Sequence, residues 1–106
     1  MKPSQPPRAP QTTPATGNRA IVTIVGPDRV GIIAGIANVL ADANANIIDI
    51  SQSVLREFFA MIMMVDLERS TIPFDSLRER LQAKGKDLAV EVSIQREDIF
   101  KVMHRI

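Results

Sequence analysis

Cysteine, tryptophan and tyrosine are absent from this 106-residue chain, and histidine occurs once. Without cysteine there is no disulfide framework, no thiolate nucleophile and no cysteine-bound metal cluster, which suits a reducing compartment such as the cytoplasm. His104 has no neighbours in sequence that would make it a metal ligand or a general base, so it reads as a surface residue, and neither metal nor cofactor is expected. No apolar stretch is long and continuous enough to span a bilayer, and the N-terminus has no hydrophobic region of the kind a signal peptide needs. A surplus of charge is missing too. The formal charge is +1, and the first eighteen residues hold two cations, Lys2 and Arg8, and no acid, so residues 19–106 carry −1. A near-neutral domain lacks the electrostatic footprint of phosphate-backbone binding, and neither nucleic acid nor a membrane is an expected partner.

What is present is ordinary globular usage, 45% hydrophobic and 24% charged residues, enough for one small domain with a modest core. It is unevenly spread. Pro3, Pro6, Pro7, Pro10 and Pro14 fall among Gln, Thr and Ser in residues 1–18, where no apolar run occurs. Such a segment cannot bury enough surface to fold, and we read it as a disordered tail preceding a domain over 19–106.

Within the domain, Ile21-Val22-Thr23-Ile24-Val25 is β-branched throughout and predicts a buried strand, which Gly26 and Pro27 should end. Ile32, Ile33, Ile36, Ala37, Leu40 and Ala43 recur at helical spacing, with Gly35 suggesting a close crossing over the sheet and Asn44 a left-handed stop. Asn46 to Leu55 reads as a strand whose alternation fails at Ile47-Ile48, a break suited to a bulge. After a turn at Arg56-Glu57, the run Phe58 to Val65 has no polar residue. Both faces of that strand are therefore apolar, and one layer of helices covers only one of them; a second copy of the chain is the economical cover for the other. Ser70 or Thr71 ahead of Pro73 signals a second helix with Phe74, Leu77 and Leu81 on its buried side, ended by Gly85; Leu88, Val90, Val92 and Ile94 then alternate as a strand. Ile99, Phe100, Met103 and Ile106 suggest a short terminal helix. The order strand, helix, strand, strand, helix, strand predicts an α+β, ferredoxin-like βαββαβ fold with a four-stranded antiparallel sheet, both helices on one face and a short C-terminal helix appended.

The candidate chemistry lies in Gly26-Pro27-Asp28-Arg29-Val30-Gly31-Ile32. Asp28 offers a carboxylate at the approach to the first helix, and Gly31 removes the Cβ where a ligand or another backbone would come close. The unpaired N–H groups of the first helical turn, with the positive end of the helix dipole behind them, favour a carboxylate or other anion. With Asp28 supplying the opposite sign, one site could hold both ends of a zwitterion. Asn46-Ile47, at the head of the second strand, is the second polar signal, expected to meet the first loop in space.

These residues, together with the hairpin that follows and Asp49-Ile50-Ser51-Gln52, resemble the ACT domain family, and most of all the bacterial and archaeal proteins made of a single such domain. The resemblance implies a non-catalytic regulatory domain that binds an amino acid or related metabolite between paired copies. By that pattern Asp28 meets an ammonium or hydroxyl group, the N–H groups of Gly31 and Ile32 a carboxylate, and Asn46 hydrogen-bonds across the pair, with Arg29 and Ile47 beside them. Gly26 stands where serine-binding members place a histidine, so serine specificity does not follow. A regulated protein partner is implied as well, since most members are fused to the enzyme they control.

Three alternatives remain at this level. The domain could serve only for dimerisation or protein docking. An acylphosphatase-like enzyme shares the topology, with Arg29 and a nearby Asn46 imitating its Arg and Asn pair. An RNA-recognition domain shares it too, but the first strand here has no aromatic residue on which to stack a base.

Overall fold

The computed structural model describes residues 18–27 and 30–98. Six elements follow in the expected order: β1 (Arg19–Pro27), α1 (Ile32–Asp42), β2 (Asn46–Leu55), β3 (Phe58–Asp66), α2 (Phe74–Leu88) and β4 (Glu91–Arg96). The strands form one sheet in the order β2-β3-β1-β4, every neighbouring pair antiparallel. This is the α+β, ferredoxin-like arrangement. The run from Ile99 that signals a terminal helix lies outside the described residues.

Alternation along the strands builds the core. Val22 and Ile24 of β1, Phe59, Met61, Met63 and Val65 of β3, and Val92 and Ile94 of β4 point to the helix side and are buried. Ile32, Ile36 and Leu40 of α1 and Leu77 and Leu81 of α2, spaced three and four residues apart, close over them. The opposite face has no such layer. Val25, Phe58 and Ile62 there are 45%, 54% and 43% exposed, while Ile21 on the same face is buried. Edge strand β2 is sparsely covered even on the helix side, where Ile50 and Val54, opposite Met63 and Phe59, are exposed.

Several boundaries differ from the sequence reading, each for a packing reason. Gly26 and Pro27 extend β1, pairing with Phe59 and Phe58. The pairing with β4 ends at Val25↔Glu91, so Pro27 has a strand on one side only and its missing N–H interrupts no second ladder. Gly85 does not end α2. The helix runs on to Leu88, and Ala89 takes the left-handed stop with φ 60°. Gly85 is buried where α2 crosses β4: a Cβ there would lie 2.7 Å from Val92 Cγ2 and 2.9 Å from the Val90 carbonyl oxygen. Leu88 consequently belongs to α2, and β4 starts at Glu91. The close crossing at Gly35 is with α2 rather than the sheet, since an added Cβ would meet Leu88 Cδ1 at 2.9 Å. The left-handed Asn44, φ 60°, and a register shift between Ile47 and Asp49 match the expectation.

A bidentate ion pair ties the start of β1 to the chain just after β4. Arg19 Nε and Nη2 donate to Glu97 Oε1 and Oε2 at 3.0 and 3.1 Å, with the Glu97 side chain buried. Asn18, assigned to the tail from sequence, accepts a hydrogen bond from the Leu67 N–H at its carbonyl and so joins the folded body.

Candidate ligand site

The β1–α1 connection starts the first helix without a side-chain cap. Gly31 occupies the N-cap position at φ 93°, and no acidic residue lies in the first turn. No neighbouring backbone makes the close approach at Gly31: among the described residues an added Cβ would meet nothing within 4 Å, and the glycine is needed there for its left-handed backbone. Gly35 N–H bonds to the Gly31 carbonyl, which leaves the N–H groups of Ile32, Ile33 and Ala34 in the orphan positions of a helix start. Val30 beside them is fully exposed. Ile32 can take part only through its N–H, because its side chain is in the core. Asp28 and Arg29 lie outside the described residues.

Gly26 has no room for a side chain. A Cβ there would lie 2.8 Å from Val90 Cγ1 and 3.2 Å from Val90 Cα, so the histidine of serine-binding relatives would require the start of β4 to move.

Asn46 and Ile47 lie at the other end of the sheet. Pro27, which leads into the first loop, pairs with Phe58 at the start of β3, and Asn46 pairs with Asp66 at its end. Eight strand residues separate the two, about 27 Å. The expectation that the loops meet therefore fails within one chain. Ile47 is partly buried against the core. Asn46 is exposed at the mouth of an open-sided cavity of about 650 Å³.

That cavity lies where the α1–β2 turn meets the β3–α2 connection. Its walls include Asn44, Asn46, Asp66, Glu68 and Arg69, over the small side chains of Ala41 and Ala45. The two connections are bound together: Asn44 Nδ2 donates to the Arg69 carbonyl at 2.9 Å, and the Thr71 N–H donates to the Ala43 carbonyl at 2.9 Å. Asp66 Oδ1 accepts from the Glu68 N–H at 2.9 Å, folding the chain back just after β3. Sequence reasoning passes over Asp66, Glu68 and Arg69. The one signal is a sudden change from eight apolar residues to Asp-Leu-Glu-Arg-Ser, which equally describes an ordinary solvated connection.

Among the described residues no cluster of His, Asp or Glu is placed to hold a metal ion, and no helix is long and apolar enough to cross a membrane.

Comparison with known proteins agrees with this architecture. Residues 18–95 match the ACT domain family. A UPF0237 protein of Methanopyrus kandleri is 54% identical over 88 residues, covering 83% of this chain and 98% of its own length. Among solved structures, an ACT domain protein from Streptococcus pneumoniae superposes with a TM-score of 0.68 at 41% identity, over 78% of this chain and 93% of that one. A formyltetrahydrofolate deformylase from Pseudomonas syringae superposes at 0.67 with 26% identity, over 76% of this chain but 28% of its own, so there the same fold is one part of a larger protein. With nearly the whole of a 54% identical relative matched by one domain, and the family's pattern covering residues 18–95, the chain belongs to the ACT domain family.

Proposed function

We propose that this chain is a non-catalytic regulatory module of the cytoplasm that binds an amino acid or similar small metabolite as a homodimer. The family supports the coarse part of this reading, since ACT domains are regulatory modules that bind small molecules. The observation that carries the finer part is the division of the candidate site between opposite ends of one sheet whose edge strand is open. Gly31 and the orphan N–H groups of α1 are at one end, Asn46 is at the other, and β2 presents ten residues at the edge with Ile48, Ile50 and Val54 exposed.

A long open edge with apolar side chains is a template for pairing. Two copies joined antiparallel along β2 about a two-fold axis would set Asn46 of one opposite Leu55 of the other, at the end of the sheet where the β1–α1 connection lies. Each half-site is then completed by the partner, and two equivalent sites form per dimer. The ammonium of the ligand would face Asp28, its carboxylate the N–H groups at Gly31 and Ile32, and Arg29 and Ile47 would line the surround.

The test is titration calorimetry of the full chain against the twenty amino acids, with light scattering on the same samples. Binding by a dimer, lost in Asn46→Ala with the fold retained, is the expected result. A monomer, or a dimer that binds none of the twenty, sinks the reading. The exposed Val25, Phe58 and Ile62 favour a second role, as a contact surface for the protein that the module regulates.

A further inference from the structure

The cavity beside Asn46 carries charges that the Gly31 end does not supply. We infer that Asp66, Glu68 and Arg69 form, beside Asn46, a site of their own apart from the one at Gly31: one carboxylate receives the ammonium of an α-amino acid, Arg69 pairs with its carboxylate, and the second carboxylate favours amino acids with cationic side chains. The inference rests on the reading above for the ligand class and for Asn46, which belongs to both.

Size, order and charge each support it. A volume of about 650 Å³ is roughly that of pockets that take small metabolites. The backbone of the walls is set before a ligand arrives, because the α1–β2 turn and the β3–α2 connection are held together by the bonds Asn44 Nδ2 to Arg69 O and Thr71 N to Ala43 O. A wall fixed in this way loses little entropy when the ligand enters. Ala41 and Ala45 keep the floor low, leaving the cavity volume to the ligand.

The charge pattern is selective. Asp66 uses Oδ1 to hold the Glu68 N–H and keeps its second oxygen for another donor. Glu68 is exposed, and the one contact of its carboxylate given by the structure is a long 3.5 Å bond from Asn18 Nδ2. Arg69 makes no ion pair among the described residues, so its planar fork is available for a carboxylate. Two anions and one cation give the wall a net charge of −1. A zwitterion satisfies one pair, and a second positive charge on the ligand answers the remaining carboxylate, whereas an anionic side chain meets repulsion.

The experiment is calorimetry on the full chain with lysine, serine and glutamate among the twenty amino acids, with three variants. Lysine is expected to bind most tightly and glutamate most weakly. Arg69→Gln should weaken every amino acid by about tenfold or more, the loss of a charge-assisted pair. The double variant Asp66→Asn with Glu68→Gln should reverse the order, glutamate above lysine. Its asparagine side chain retains a carbonyl oxygen to accept the backbone N–H two residues on, and circular dichroism verifies that both variants fold. Asn46→Ala, the third variant, separates the two readings. If it abolishes binding while Arg69→Gln and the double variant bind as the parent does, the charged wall is no site and the loop reading stands alone. Silence of the parent toward all twenty overturns both, and a parent that prefers glutamate to lysine overturns the charge assignment by itself.

Discussion

The two faces of β3 are made from nearly the same residues and meet opposite fates. Phe59, Met61, Met63 and Val65 are buried beneath α1 and α2; Phe58, Ala60 and Ile62, one step out of phase, are exposed. Hydrophobicity alone would not separate the two sets. What separates them is topology: both connections that cross the sheet, β1-α1-β2 and β3-α2-β4, put their helices on the same side, as right-handed crossovers require. The inner face therefore stabilises the fold, and the outer face remains available for association.

The largest expected effect lies on the inner face. Met61→Ala removes a fully buried side chain from the centre of the sheet and should cost about 2–5 kcal/mol, read from urea unfolding followed by circular dichroism because there is no tryptophan or tyrosine to report. A cost below about 1 kcal/mol would mean that the inner face is not the packed one. Arg19→Met sharpens the same contrast at the margin of the core. It strips a guanidinium that is about a third exposed from the buried Glu97 carboxylate, and the loss of this charge-assisted pair should cost about 1–3 kcal/mol. An unchanged unfolding midpoint would show that the pair contributes nothing.

Two glycines measure how closely the inner face is packed. At Gly85 a Cβ would press on Val92 Cγ2 and on the Val90 carbonyl oxygen, and backbone cannot move aside cheaply. Gly85→Ala should therefore cost about 1–3 kcal/mol, in spite of a gain of about 1 kcal/mol in helix propensity. Gly35→Ala offers the control, because there the nearest atom is the tip of Leu88, which can rotate; this variant should be near neutral or stabilising. Equal costs at the two positions would contradict the difference in packing.

These glycines also mark what can be read from sequence. The element order, the left-handed Asn44 and the bulge near Ile48 follow from local chemistry: β-branched runs, helical spacing, an Asn after the last apolar residue and a break in alternation. Gly85 misleads because a glycine after a lysine looks the same whether it ends a helix or lies beneath a strand, and only the position of Val90 and Val92 decides. Gly26 and Pro27 read as a stop because sequence does not tell that β4 releases β1 at Val25. At the site, residue types are legible and distances are not. Asn46 and the loop after Pro27 both carry signals, but strand direction puts Asn46 about 27 Å along the sheet from Pro27 in one chain. The cavity wall draws no notice, since Asp66, Glu68 and Arg69 acquire a common purpose only when two connections distant in sequence are folded together.

A smaller effect on folding than that of Met61→Ala gives the most direct test of the outer face. Ile62→Ser replaces an exposed side chain in β3, next to Met61, flanked by Thr23 on β1 and Ser51 on β2. In a monomer, serine there gives up the roughly half of the isoleucine that is buried, so the unfolding free energy at low protein concentration should fall by about 1–2 kcal/mol, less than for Met61→Ala. Association through this face would respond differently, because the half-exposed isoleucine sits with Val25 and Phe58 in one apolar patch. Analytical ultracentrifugation separates three outcomes. A self-association constant weakened about tenfold or more assigns the face to the homodimer, and an unchanged dimer leaves it for another protein and the β2 edge for self-pairing. A loss of monomer stability comparable to that of Met61→Ala would mean that the two faces are not different in kind.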